Sequence, residues 1–290
     1  MKVNAYAKIN LTLDVLNKRE DGYHEISSVM QTISLCDVLS FNIEDRKDNE
    51  NEIIITSNDN DLPTDSKNLC HKACTLFFEE FGICGKTVNI HIEKNIPIAA
   101  GLGGGSSDCA ETLKALNKML KTNAENERLR QIAVKIGADV PFFIEGGCCK
   151  ATGIGDVLTP VKKVSDHFII LAKPTEALLS GAVYKDFDEL YEKDASLFPK
   201  PSTEHFLTES NRLKFISNML TPVSEKKARS ISILKKALSE LGAKAAEMTG
   251  SGPTVFAVFD REQEAKNAVE SLKKRIATSF CGIYKTVNNI

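Results

Sequence analysis

The stretch PIAAGLGGGSSDCAETL, residues 97–113, sets four glycines and two serines against the start of an apolar helical pattern. Four glycines within residues 101–105 carry a conformational cost that a plain turn does not require. They allow backbone amides to turn outward, and the helix that follows offers free N–H groups and the positive end of its dipole. The pattern predicts an anion cradle built from Gly101, Leu102, Gly103, Gly104 and Gly105, with Ser106 and Ser107 adding hydroxyls toward phosphate or Mg²⁺. A dinucleotide fingerprint fits less well, because Ser106 stands where the third glycine belongs and no early βαβ unit surrounds the loop. A Walker A loop is excluded at Gly85-Lys86-Thr87, where Glu80 replaces the required upstream glycine. Asp108 shares the field of the helix start and has capping-box spacing with Glu111, so it is expected to turn away as a cap.

Other residues with chemistry to offer are ambiguous locally. Lys8, Asn10, Thr12 and Asp14 alternate with apolar Ala7, Ile9, Leu11, Leu13 and Val15. Period two predicts a strand with one face in the core and the polar set on the other. A lysine there can be merely solvated. Asp139 follows a helix whose apolar face is Leu129, Ile132, Ala133 and Ile136 and which Gly137 is placed to end. Alone, such an aspartate reads as a turn former, His24 as a structural hydrogen-bonder, and Tyr184 as the edge of a core. The segment TGSGPT, residues 249–254, suits either a hairpin or close packing against the glycine loop.

These residues need a scaffold, and 290 residues suffice for one large domain or two moderate ones. A formal net charge of −2 gives no global pull toward nucleic acid or membrane, so an anion site must be local. No apolar run approaches the ~20 residues of a membrane span, and the N-terminus alternates rather than forming a signal peptide. A cytoplasmic protein is expected. The eight cysteines include Cys70 and Cys74 one turn apart beside His71, but no CxxC pair; reduced, mostly buried thiols and no metal site are expected. Strands are expected through Val3–Val15, Ile26–Ile33, the segments DVLSFNIE and NEIIITS, and Val88–Ile92, with a helix over SKNLCHKACTLFFEEF. Near residue 160 the pattern changes to strand, helices, the TGSGPT loop, strand, helix and strand, with residues 189–205 as an irregular connection. The expected class is α+β, divided into domains 1–160 and 161–290.

The loop PIAAGLGGGSSDCA resembles the phosphate loop of the galacto-, homoserine, mevalonate and phosphomevalonate kinase superfamily. AKINLTLDVLNKREDGYHEI, GADVPFF and MTGSGPTVFAVF occur in order around it, so the likeness covers nearly the whole chain. Together they are similar to the branch that phosphorylates a diphosphocytidyl-linked methylerythritol in non-mevalonate isoprenoid synthesis. The resemblance implies an N-terminal half like ribosomal protein S5 domain 2 and a ferredoxin-like C-terminal half. It implies ATP and Mg²⁺, with the γ-phosphoryl passed to a 2-hydroxyl. Lys8 and Asp139 match the catalytic pair, and Asp139 and Asn10 lie toward the acceptor. Tyr23, His24 and Tyr184 match the cytidine pocket, Asn68 and Lys94 match positions near adenosine, and Pro97 opens the phosphate loop. Leu179-Ser180 stands where the family carries Ser-Thr, and Cys148-Cys149 replaces small unreactive residues. The implied partners are two small molecules, with no nucleic acid or membrane, and a monomer or weak homodimer. Another kinase of the superfamily would share the loop but not the DGYH motif; a non-catalytic nucleotide-binding module would lack the Lys8 and Asp139 pair.

Overall fold

The computed structural model describes residues 1–161 and 166–288. Two compact units emerge: Met1–Ala7, Leu35–Ile98 and Gly103–Gly146 form the first, and Lys8–Ser34, Ala99–Leu102 and Gly147–Ile290 the second. The strands β1 (Lys2–Lys18) and β2 (His24–Asp45) each contribute residues to both.

In the first unit, β3 (Glu52–Ser57) runs parallel to β4 (Lys86–Glu93), and β4 runs antiparallel to β2 from Val38 opposite Glu93 to Asp45 opposite Lys86. Helix α1 (Leu69–Phe81) buries Cys70, Ala73, Cys74, Phe77 and Phe78, the one-sided spacing of an amphipathic helix. Asn68 caps its start, and Gly82 closes it in the left-handed conformation. The start of the glycine segment's helix, α2 (Gly104–Met119), lies earlier than the apolar pattern suggests. Helix α3 (Asn126–Ala133) ends four residues before Gly137, because the chain tightens as the N–H groups of Ile136 and Gly137 both return to the Ala133 carbonyl. Helix α4 (Val140–Glu145) follows, with Phe142 and Phe143 buried.

In the second unit, β5 (Cys148–Thr152) pairs with the early part of β2 and with β6 (Val157–Pro160). The chain continues through β7 (Phe168–Lys173), α5 (Ser180–Lys193), α6 (Thr203–Thr208), β8 (Ser217–Asn218), α7 (Thr221–Lys227) and α8 (Ser230–Glu240), then β9 (Ala245–Met248), β10 (Val255–Phe259), α9 (Glu262–Arg275) and β11 (Phe280–Lys285). An antiparallel sheet forms in the order β11-β7-β10-β9. Ile170, Val255, Ala257 and Phe259 from its strands share one core with Leu234 and Leu238 of α8 and Val269 and Leu272 of α9. The expected irregular connection is only partly irregular. Its first five residues finish α5, and α6 starts at Thr203, because Phe187, Phe198 and Phe206 bury their rings.

The polar face of β1 is also buried: Lys8, Asn10, Thr12 and Asp14 are each at most 3% exposed. Asp14 accepts from the backbone N–H groups of Ser202 and Thr203, and the Thr12 hydroxyl meets that of Thr203. Five of the eight cysteines are buried; burial pushes the Cys70 and Cys109 thiols well up and Cys74 up to about 12. Among the described residues no helix is long and apolar enough to cross a membrane.

Candidate active site

Within the second unit the leading half of the glycine loop is tied to β1. The backbone N–H of Lys8 donates to the Leu102 carbonyl at 3.0 Å. The Lys8 ammonium, which would be costly to bury alone, donates to Asn10 Oδ1 at 2.6 Å. Residues two apart on a strand share a face, which brings these two side chains together. Asn10 Nδ2 donates to the Ser28 hydroxyl at 2.8 Å, and the Asn10 backbone N–H donates to Thr249 Oγ1 at 3.0 Å. Gly101 has φ +74°, and a Cβ there would sit 2.4 Å from the Thr249 carbonyl oxygen. Gly250 has φ +57°, with its own missing Cβ 3.1 Å from the Gly101 oxygen and 3.6 Å from the Lys8 ammonium. The TGSGPT segment therefore packs backbone to backbone on the glycine loop. Asn218, which carried no signal in the sequence, holds it there by donating to the Met248 and Gly250 carbonyls. Ala99 occupies the left-handed region at φ +51°, a strained conformation for a residue with a side chain.

The trailing half of the loop opens α2 in the first unit. Gly103 is its N-cap at φ +72°, and no side chain caps it, which leaves the helix start to an external acceptor. Gly105 is exposed, Ser106 and Pro97 are half-buried, and Ser107 is buried. Where Gly105 would carry a Cβ, the nearest atom is Leu69 Cδ1 at 3.8 Å, so the start of α1 borders the start of α2. Asn68 there spends its side chain on structure, accepting from Cys70 N–H and donating to the Pro63 carbonyl.

Asp108 is not a cap. It lies inside α2 because the helix begins at Gly104, and its Oδ2 accepts from Lys94 Nζ at 3.0 Å. The same ammonium donates to Asp37 Oδ2. The Lys94 side chain is 3% exposed and the two carboxylates 0% and 2%. Burial pushes the Asp108 carboxyl up to about 8; Lys94 draws it down and Asp37 adds to the rise. Gly104 makes room for this lysine, since a Cβ would stand 2.9 Å from Lys94 Nζ and from Ile96 Cγ2. Asp139, half-buried, immediately precedes α4 at φ −81° and ψ −14°, and its side chain does not cap that helix.

A second cluster in the second unit gathers residues matched to the base pocket. His24 is buried and stacks on Tyr184 with ring centroids 4.9 Å apart and planes at 27°. Its Nε2 donates to Asp188 Oδ1 at 2.6 Å, and Lys18 donates to Asp188 Oδ2 at 2.7 Å. Although burial raises the Asp188 carboxyl, those two hydrogen bonds outweigh it and hold the group below its usual range. Asp188 was not singled out in the sequence; it is one helical turn beyond Tyr184, the spacing at which two side chains share a face. Tyr23 is 57% exposed beside the turn that Asp21 closes by accepting from its N–H.

The descriptions of two families fit the chain: GHMP kinases N terminal domain over residues 68–147 and GHMP kinases C terminal over residues 187–278. The 4-diphosphocytidyl-2-C-methyl-D-erythritol kinase of Clostridium beijerinckii is 39% identical over 284 residues, 97% of this chain and 98% of that protein. The protein of that name from Caldicellulosiruptor bescii is 41% identical over 279 residues, 94% of each chain. A crystal structure of a 4-(cytidine 5'-diphospho)-2C-methyl-D-erythritol kinase superposes with a TM-score of 0.78 at 28% identity, covering 98% of this chain and 99% of that one. The homoserine kinase of Cytophaga hutchinsonii shares the fold, with a TM-score of 0.73 at 18% identity and coverage of 99% and 95%. The expected two-domain α+β kinase fold is thus met along the whole length, and the chain belongs to the 4-diphosphocytidyl-2-C-methyl-D-erythritol kinase family within the GHMP kinases.

Proposed function

We propose that this chain transfers the γ-phosphoryl group of ATP to the 2-hydroxyl of 4-diphosphocytidyl-2-C-methyl-D-erythritol, the kinase step of non-mevalonate isoprenoid synthesis. The observation that carries the reading is the likeness of about 40% identity, end to end, to kinases of that name. Phosphoryl transfer asks chiefly for positioning and charge stabilisation. The uncapped start of α2, with Gly101 to Ser107, receives the nucleotide phosphates, and Asn68, Lys94 and Pro97 border the adenosine side. Asp139, just ahead of α4, takes the proton of the attacking hydroxyl. Lys8 stabilises the charge that develops, with Asn10 holding its ammonium and reaching the acceptor. Tyr23, His24 and Tyr184 take the cytosine.

Mg²⁺ bound with the triphosphate would supply neutralisation of its charge. No group of three or more His, Cys, Asp or Glu among the described residues could cage an ion, and a nucleotide-bound Mg²⁺ needs few protein ligands. The Ser106 hydroxyl at the helix start suits it. Residues 1–160 then act as the ATP-binding and catalytic domain and 161–290 as its ferredoxin-like companion. The enzyme works on small molecules in the cytoplasm, as a monomer or weak homodimer. A coupled ADP-release assay tests the function with the cytidyl alcohol, homoserine and mevalonate as acceptors. Turnover confined to the cytidyl alcohol is expected; turnover with either of the others instead would refute it.

A further inference from the structure

Asp37, midway along β2 in the first unit, is fully buried and makes three contacts around the glycine loop. Its Oδ1 accepts from the backbone N–H groups of Asn95 at 2.6 Å and Ile96 at 2.8 Å, the residues just ahead of Pro97. Its Oδ2 accepts from Lys94, whose ammonium donates onward to Asp108 within α2. One carboxylate therefore holds the chain that leads into the loop and, through Lys94, the helix that leads out of it. We propose that Asp37 is a positioning residue for phosphate transfer, fixing both ends of the glycine loop so that the start of α2 is aimed before the nucleotide arrives. The proposal rests on the reading that this loop receives the ATP phosphates.

The physical need is plain. Glycines bring no side chains with which to anchor themselves, and a loop ordered only on binding subtracts that entropy from affinity. Anchors must come from outside, and a buried carboxylate taking charge-assisted hydrogen bonds is among the stiffer ones available. The arrangement also explains a lysine sealed away from solvent. Its ammonium joins two elements far apart in sequence, and Asp37 supplies the charge that makes its burial tolerable.

The test compares Asp37→Ala, Asp37→Asn and Asp37→Glu by steady-state kinetics with each substrate varied in turn, with thermal unfolding and titration of a non-hydrolysable ATP analogue alongside. Asp37→Ala is expected to raise the KM for ATP about tenfold while the KM for the cytidyl alcohol moves less than about twofold. Asp37→Asn keeps an oxygen for the two amides and should show a smaller rise. An Asp37→Ala protein that folds yet keeps its KM for ATP, or loses both substrates equally, overturns the proposal. Should Asp37→Ala fail to fold, Asp37→Asn and Asp37→Glu carry the test, and an unchanged KM for ATP in both overturns it. Gly105→Asp probes the underlying reading separately, since a Cβ at 105 would meet nothing nearer than Leu69 Cδ1 at 3.8 Å and a carboxylate at a helix start favours the helix while repelling phosphate. If Gly105→Asp leaves nucleotide binding untouched, the loop is not the phosphate site; if it weakens binding while Asp37→Ala does not, the positioning role alone fails.

Discussion

His24 Nε2 lies 2.6 Å from Asp188 Oδ1, and because an ionised carboxylate only accepts, the imidazole donates from Nε2. Asp188 thereby fixes the ring's orientation and leaves Nδ1 as the nitrogen for any other partner. Choice between bases needs hydrogen bonds to the base edge, whereas stacking is indifferent. His24→Ala should raise the KM for the cytidyl alcohol and narrow its advantage over a uridyl analogue by roughly 1–3 kcal/mol, with the KM for ATP unmoved. Tyr184→Ala should weaken both analogues alike. An unaltered cytidyl-to-uridyl ratio of kcat/KM in His24→Ala would place base reading elsewhere.

Asp139→Asn should cut turnover by about 10²–10⁴-fold, the usual worth of a general base. Nucleotide affinity should hardly change, since the residue precedes α4 rather than α2. Calorimetric titration of an ATP analogue and single-turnover kinetics separate the two effects. Retention of most of the kcat would remove Asp139 from the chemistry.

Gly101→Ala and Gly103→Val probe different constraints. At Gly101 a methyl group would stand 2.4 Å from the Thr249 carbonyl oxygen and force an alanine to φ +74°, at a cost of roughly 1–3 kcal/mol. A drop in the unfolding temperature should report it, and an unshifted transition would show that the TGSGPT segment gives way. Gly103→Val, at φ +72° and against the proposed phosphates, should weaken ATP more than the cytidyl alcohol. Equal calorimetric losses would indicate misfolding.

Asp108 predicts a pH dependence whose sign follows from linkage. Burial pushes its carboxyl up from an ordinary 3.8 to about 8 in the folded chain. Facing it are Lys94, Asp37 and the buried thiols of Cys70 and Cys109. Between those two values the unfolded chain binds fewer protons, so this residue makes stability fall as pH rises, and levels off above the higher one. Asp108→Asn cannot ionise. Its stability relative to the parent should climb from about pH 5 to about pH 8 in urea unfolding, and a constant difference would mean that the parent carboxylate is ionised throughout.

Local pattern revealed what local forces decide. The alternation in β1 predicts its strand and its core face, and the 3.6-residue spacings predict α1, α8 and α9. It could not reveal that Lys8 to Asp14 are buried on their polar side, because the partners that permit this, Thr203 and Thr249, are about two hundred residues away in sequence. The capping-box spacing of Asp108 and Glu111 misled for a related reason. Glycines are poor helix formers, so the apolar pattern placed the start of α2 too late and turned an interior acceptor for Lys94 into a cap. Asp37 lay unnoticed within a β-rich segment, since nothing nearby in sequence announces the amides that it accepts from. Its distant neighbours give it meaning.

Gly104 answers to two masters. A methyl group there would collide with Lys94 Nζ and Ile96 Cγ2, each 2.9 Å away, whether or not a nucleotide is ever bound. A dead Gly104 variant would thus say nothing about which demand was broken, and a library screened on activity would score the position as indispensable for either reason. Gly105, its neighbour, whose Cβ would meet only Leu69 Cδ1 at an ordinary contact distance of 3.8 Å, reports on the ligand instead. In a loop of near-identical residues, the informative mutation is the one whose side chain has somewhere to go.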